Sequence, residues 1–451
     1  MTRSWAVGAL VVLIVALAAS AAVLIPWQRP PAPRADQLAA LAELPPDRVA
    51  WARAFRSALR PGSYGGLGVG LAGALVLGLT PLGARIVTLA GRPFGGHWIA
   101  QAVLGGLVVV IVLEVLTLPF AAWGHTVAVR YGISTQSWGP WAVDVLKSFG
   151  VGAVLGGLTL FGFYGLARAA PRWWWAPGAV GAAALVVLLS FVLPVIVEPI
   201  FNRFTPMPDS ALRSELVALA DRDGVPVRDV LIADASRRTR AVNAYVSGLG
   251  PTRRIVVYDT MLSATVPAVS NAGVPSPAAP NADTAASVAP AAAPAGRLTT
   301  AETVSVVAHE LGHAKRHDVA VGTLIGALGT AAGVIVLYLL GSWTGLLRLA
   351  GASSIGDPRA IGLVLALATV AGLIGAPAQA FVSRRIEARA DAHALALTGD
   401  PGTFEAMQRR LGTVNLSDPD PPRWEYVFSA SHPSTVERMA AARAYARGDR
   451  R

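Results

Sequence analysis

Seven apolar stretches dominate this chain of 451 residues and constrain what it can become. About 20 apolar residues are needed to cross a bilayer as a helix, and within lipid a helix is one of the few ways to satisfy every backbone polar group. The stretches cover residues 5–25, 64–84, 98–120, 148–167, 174–197, 319–347 and 361–382. All but the third lack Asp, Glu, Lys and Arg; the third holds Glu114. Charged residues make up 14% of the chain, against about 25% in a soluble domain, which agrees with lipid as the main solvent. The expectation is a multi-span α-helical membrane protein with about seven transmembrane helices.

Arg3 precedes the first stretch, and Ala18-Ala19-Ser20-Ala21-Ala22 resembles a signal cleavage site. The apolar run nevertheless continues through Val23, Leu24 and Ile25, so an uncleaved first helix is expected. Residues 26–62 form the densest basic loop among the early spans, with Arg29, Arg34, Arg48, Arg53, Arg56 and Arg60. The positive-inside bias places this loop in the cytoplasm and the N-terminus outside. Five membrane helices then occupy residues 1–197, and residues 198–318 fall on the cytoplasmic side. The hairpin 319–382 returns the chain to that side, where residues 383–451 meet 198–318. The net charge of +11 reads as the same bias. No basic run is interleaved with aromatics, so no nucleic-acid partner is expected. Only Lys147 and Lys315 are lysines, and Ala, Gly and Val are abundant, a composition suggestive of a bacterial cytoplasmic membrane.

Residues 198–318 read as α+β. Asp209 is placed to cap a helix bearing Leu212, Leu216, Leu219 and Ala220. Ala244–Leu249 and Ile255–Tyr258, separated by Gly250-Pro251-Thr252, predict a β-hairpin. Residues 263–298 are mostly Ala, Pro, Ser and Val and are expected to be a disordered loop.

The strongest chemical signal is His309-Glu310-Leu311-Gly312-His313. Thr299 and Glu302 form the pattern of a capping box at the start of a helix. Residues four apart share a helical face, so His309 and His313 point together and can bind one zinc ion per chain. Glu310 lies beside them as general base towards a zinc-activated water. The chain has no cysteine, so any zinc must use imidazole and carboxylate ligands. A catalytic site needs a third protein ligand. His317 stands eight residues past His309, which does not fit the spacing of a three-histidine site; His393 and His432 are further candidates. Glu387 is the stronger one, because the membrane hairpin returns it to the face where His313 lies. Asp391, four residues on, can then orient a ligand histidine.

Several short motifs, in order, give a resemblance. They are Leu118-Pro119-Phe120, Tyr131-Gly132, Asp144-Val145-Leu146-Lys147, Glu198-Pro199-Ile200-Phe201-Asn202, Asn243-Ala244-Tyr245 with Gly248, and Tyr258-Asp259-Thr260. The zinc helix, Ser383-Arg384 through Asp391, and His432-Pro433 with Glu437-Arg438 complete the set. From about 110 to 445 the chain resembles the integral-membrane CAAX prenyl protease 1 family of gluzincin zinc metallopeptidases. The resemblance implies a cytoplasmic α+β gluzincin-type protease domain in two parts and hydrolysis of peptide bonds in a peptide or membrane-protein substrate at the lipid bilayer. It implies that Asn243 lies on an edge strand pairing with substrate backbone, as β-augmentation would also require. It implies that His432 stabilises the developing oxyanion and that Arg438 is structural or contacts substrate. Residues 263–298 depart from the family's shorter link. Two alternatives stand beside this reading: a heat-shock-type quality-control protease of the same chemistry, and a non-enzymatic transporter or scaffold. No motif sets an oligomeric state.

Overall fold

The structure, a computed structural model, describes residues 2–28, 31–248, 250–262 and 298–449. The loop expected over 263–298 lies, apart from Leu298, outside the described residues, as does Leu249 at the end of the predicted strand.

Seven helices among the described residues are long and apolar enough to cross a membrane. The chain opens with α1 (Thr2–Leu24) and the short α2 (Arg34–Ala42). Helix α3 (Pro46–Leu79) starts on a proline, whose missing N–H costs nothing in a first turn. It therefore carries the arginine-rich stretch and the second apolar run in one rod. The run expected over 64–84 breaks at Thr80, which is extended and caps α4 (Pro81–Gly91), because Pro81 cannot donate to a continuing helix. Helix α5 (Trp98–Arg130), with a π-turn at Gln101–Gly105, is followed by α6 (Trp138–Ala169) and α7 (Trp175–Ile196).

The chain then leaves the apolar helices. Strand β1 (Phe204–Pro206) precedes α8 (Ala211–Asp223). The cap of α8 is Ser210 rather than the expected Asp209: Ser210 has extended backbone and its hydroxyl accepts from Arg213 N, whereas Asp209 lies one residue too far out and meets only the Arg213 guanidinium, at 3.4 Å. Strands β2 (Asp229–Ala233), β3 (Ala244–Ser247) and β4 (Arg254–Tyr258) complete a sheet in the order β1-β2-β4-β3. The predicted hairpin is the antiparallel pair β3–β4, with Ala244 opposite Val257. Strand β2 runs parallel to β4. Strand β3 forms an edge, so one row of its backbone groups is unpaired within the sheet.

Helix α9 (Thr300–Lys315) begins with the full capping box of Thr299 and Glu302. Its face made of Val304, Val307, Ala308 and Leu311 is buried against Leu216 and Leu219 of α8 and Ile255 and Val257 of β4. Burial of large aliphatic side chains at roughly 1.5–3 kcal/mol each holds this helix in place. Helix α10 (Asp318–Leu340) re-enters the apolar layer, and α11 (Thr344–Ala350) is separate from it, so the run expected over 319–347 is interrupted at the Gly341–Trp343 turn.

Helix α12 (Ile361–Thr398) does not stop at the end of its apolar run. It leaves the apolar helices as a continuous 38-residue rod whose last turns pack against α9. Near its start, Gly362 lies so close to α3 that an added Cβ would sit 2.3 Å from Leu77 O, the small-residue contact typical of packed membrane helices. Helices α13 (Pro401–Val414), α14 (Arg423–Ser429) and α15 (Thr435–Ala446) close the fold. Val436 and Met439 of α15 pack on Ala40 and Leu44, which brings α2 against the C-terminal helix.

Candidate metal centre and active site

Helix α9 places His309 and His313 one turn apart, and α12 brings Glu387 against them. The Nε2 atoms of His309 and His313 are 3.2 Å apart. Glu387 Oε2 lies 3.2 Å from His309 Nε2, and Oε1 lies 3.4 Å from His313 Nε2. One ligand atom from each of the three residues falls within 4.8 Å of the others. His317 and His393 do not join them. His317 ends in the turn between α9 and α10, with its φ at 55° and its Nδ1 3.5 Å from an Arg253 nitrogen. His393 Nε2 meets Asp223 Oδ2 at 2.9 Å.

Each ring is held from behind by a carboxylate. Asp391 Oδ1 lies 2.9 Å from His309 Nδ1, and Asp318 Oδ2 lies 2.8 Å from His313 Nδ1. A proton on each Nδ1 leaves the Nε2 lone pairs turned inward, the arrangement that raises ligand basicity and fixes ring orientation. Asp391 is buried and forms a forked pair with the Arg438 guanidinium, whose Nε is 2.9 Å from Oδ2. Asp318 pairs in turn with Arg389. Neither Asp318 nor Arg389 is apparent in the sequence, although an acid at the first residue of a membrane helix is a usable signal.

Two imidazoles and one carboxylate are a donor set that suits a divalent metal ion with one position left open. The structure itself supports the fit: Glu387 Oε2 is buried and makes no hydrogen bond among the described residues, although two imidazole nitrogens face its carboxylate. An orphaned buried oxygen of this kind is costly unless a cation takes it.

Glu310 follows His309 on α9, and burial raises its proton affinity above that of an ordinary carboxylate, with the two neighbouring imidazoles partly opposing the rise. His432 enters from the segment between α14 and α15. Its Nε2 is 3.5 Å from Glu387 Oε2, and its Nδ1 is 2.8 Å from Ser431 Oγ. Desolvation by the surrounding groups lowers its pKa, with the Glu387 carboxylate partly opposing. Asn243 is exposed immediately before edge strand β3, and its carbonyl accepts from Tyr258 N at 3.0 Å. Of the residues predicted from sequence, His309, Glu310, His313, Glu387, Asp391, His432 and Arg438 thus converge on one locus, and Asn243 stands at the start of the neighbouring strand.

Comparison with known proteins follows the same division. The description "Peptidase family M48" matches residues 206–446, and "CAAX prenyl protease N-terminal, five membrane helices" matches residues 69–203. The chain is similar to the uncharacterized metalloprotease YhfN of Bacillus subtilis (strain 168), with 29% identity over 337 residues, 74% of this chain and 71% of that one. It is similar to the CAAX prenyl protease 1 homolog of Taenia solium, with 25% identity over 370 residues, 79% of this chain and 75% of that one. Among solved structures, the crystal structure of S. mikatae Ste24p aligns with a TM-score of 0.74 at 20% identity over 98% of both chains, which shows a shared fold. With a histidine–acid cluster carried by a peptidase segment that spans more than half of the sequence, beside a matched set of membrane helices, the chain is a membrane metalloprotease belonging to peptidase family M48.

Proposed function

We propose that this chain is a zinc endopeptidase that cleaves peptide substrates delivered at the cytoplasmic face of the membrane, in the manner implied by the names of its CAAX prenyl protease 1 relatives. One observation carries the reading: His309, His313 and Glu387 converge through their ligand atoms, with Glu310 beside them. One zinc ion per chain would be held by the two Nε2 atoms and a Glu387 oxygen. When bound, it supplies Lewis acidity that polarises a carbonyl and acidifies water.

The remaining chemistry belongs to the protein. Glu310, with proton affinity raised by burial, takes a proton from the attacking water and returns it to the leaving amine. No covalent intermediate is needed. His432 turns its Nε2 towards the centre, 3.5 Å from Glu387 Oε2, and in the tautomer protonated there it offers an N–H. That N–H donates to the oxyanion as the carbonyl becomes tetrahedral. Edge strand β3, entered through Asn243, offers free backbone groups to an extended substrate. Arg438 acts from behind, keeping Asp391 ionised and aimed at His309.

Purified protein incubated with a peptide library tests the reading. Wild type is expected to cleave, and Glu310→Gln to hold one metal ion per chain while losing cleavage. Undiminished hydrolysis by Glu310→Gln would overturn the assignment.

A further inference from the structure

Arg384 sits on α12 one turn before Glu387 and is buried. A buried guanidinium is normally matched to a carboxylate, because an unpaired charge away from water is costly. Arg384 instead donates from Nη1 to two main-chain carbonyls, Tyr426 O at 2.9 Å and Ala430 O at 2.6 Å. The guanidinium also lies 4.4 Å from the centroid of the Tyr426 ring. These two carbonyls bracket the end of α14, and Ala430 stands two residues before His432. The Tyr426 hydroxyl continues the chain of contacts, reaching Glu437 Oε2 at 2.6 Å, and Glu437 closes the capping box that starts α15.

One helix therefore carries both the carboxylate of the metal cluster and the cation that fastens the opposite wall. We propose that Arg384 is a positioning residue that holds the Tyr426–Ala430 segment so that His432 stands beside Glu387. The inference rests on the role given above to His432 in the proposed peptidase. Residues 430–433 lie outside any helix or strand, so a side-chain clamp on the Ala430 carbonyl bears directly on their path. The planar guanidinium suits the position: Nη1 serves both carbonyls while the delocalised plane lies near the Tyr426 ring.

The test uses the full-length protein in detergent and a quenched fluorescent peptide chosen from the library. His432→Ala is expected to lower kcat about a hundredfold, and Arg384→Ala at least about tenfold, since misplacement by an ångström is that costly. Both variants are expected to retain one metal ion per chain. Added to His432→Ala, the Arg384→Ala change is expected to lower kcat by less than about twofold more, because interacting residues are not additive. Arg384→Lys is expected to fall between wild type and Arg384→Ala. Hydrogen exchange over residues 426–432 should accelerate in Arg384→Ala while that of α9 stays unchanged. Independent, multiplicative losses in the double variant, or loss of metal from Arg384→Ala, would overturn the inference. Should His432→Ala leave kcat unchanged, the oxyanion role fails. Exchange at 426–432 then decides alone: acceleration keeps the positioning role, and unchanged exchange removes it.

Discussion

His313 and Asp318 face each other across the junction of two helices, with 2.8 Å between Nδ1 and Oδ2. His313 belongs to the last turns of α9 and Asp318 is the first residue of the membrane helix α10, with His317 in left-handed conformation making the turn between them. The entry point of a membrane helix is thereby tied to the orientation of a ligand ring. Asp391 does the same for His309 from the end of α12. Both imidazoles are braced by helices that cross the apolar layer, so the proposed metal centre is tied mechanically to those helices.

Asp318→Asn is expected to weaken metal binding by about 10–100-fold, the usual cost of losing the acid behind a ligand histidine. Asp391→Asn should cost at least as much, because it also removes the ion-pair partner of the half-buried Arg438. Competition against a chromogenic chelator measures both. Affinities equal to wild type would show that these carboxylates do not set ring orientation.

Removal of the metal should abolish hydrolysis reversibly. Dialysis against a strong chelator is expected to leave a folded but inactive protein, and one equivalent of zinc to restore cleavage. His309→Ala should bind no metal and show no recovery, since it deletes one of the three proposed ligands. Metal analysis alongside peptide cleavage is the check; full activity after complete demetallation would contradict the mechanism.

Much of this centre can be read from the amino-acid order because helices impose their own geometry. His309 and His313 share a face by spacing alone, and Glu387 and Asp391 do so on α12. The capping pair Thr299 and Glu302 marks the start of α9 in sequence and in structure. The hairpin β3–β4 follows from its alternation and turn. What the sequence could not supply were contacts between distant elements with no periodic signature. Arg384, Asp318 and Tyr426 are single polar residues whose partners lie on other helices. Apolar runs mark the membrane helices but not their ends: Thr80-Pro81 breaks one run early, and α12 outlasts its own by entering a polar environment as an intact rod.

Gly312, inside the histidine motif, lies against His393 of α12. A Cβ there would lie 3.1 Å from two atoms of the His393 side chain, which is itself held by Asp223. Gly312→Ala should therefore push the helices apart, costing about 1–3 kcal/mol as overpacking does, and should weaken metal binding by separating Glu387 from the histidines. Thermal unfolding with and without added zinc checks both effects. A variant as stable as wild type would mean that His393 rotates away freely.

Glu405 is one of the carboxylates through which the C-terminal helix should loosen in acid. Glu405 of α13 accepts from Arg443 of α15 at 2.6 Å, and the same guanidinium reaches Glu43 beside α2. The hydrogen bond from Arg443 holds the Glu405 carboxyl below the usual carboxylate range, against the opposing effect of burial. A depressed folded-state pKa means that the unfolded segment binds the proton more readily. The resulting stability is fully present above the unfolded value of about 4.3 and is lost as pH falls through the lower folded value. Hydrogen-exchange protection of α15, corrected for intrinsic rates, is therefore expected to be constant from pH 7 to pH 5 and to decline below that. Glu405→Gln should begin with lower protection at pH 7 and show a flatter decline. Local exchange is the suitable probe because it reads the opening of α15 itself rather than of the whole chain. An identical acid profile in Glu405→Gln and wild type would remove this carboxylate from the account of how α15, and with it Arg438, is kept in place.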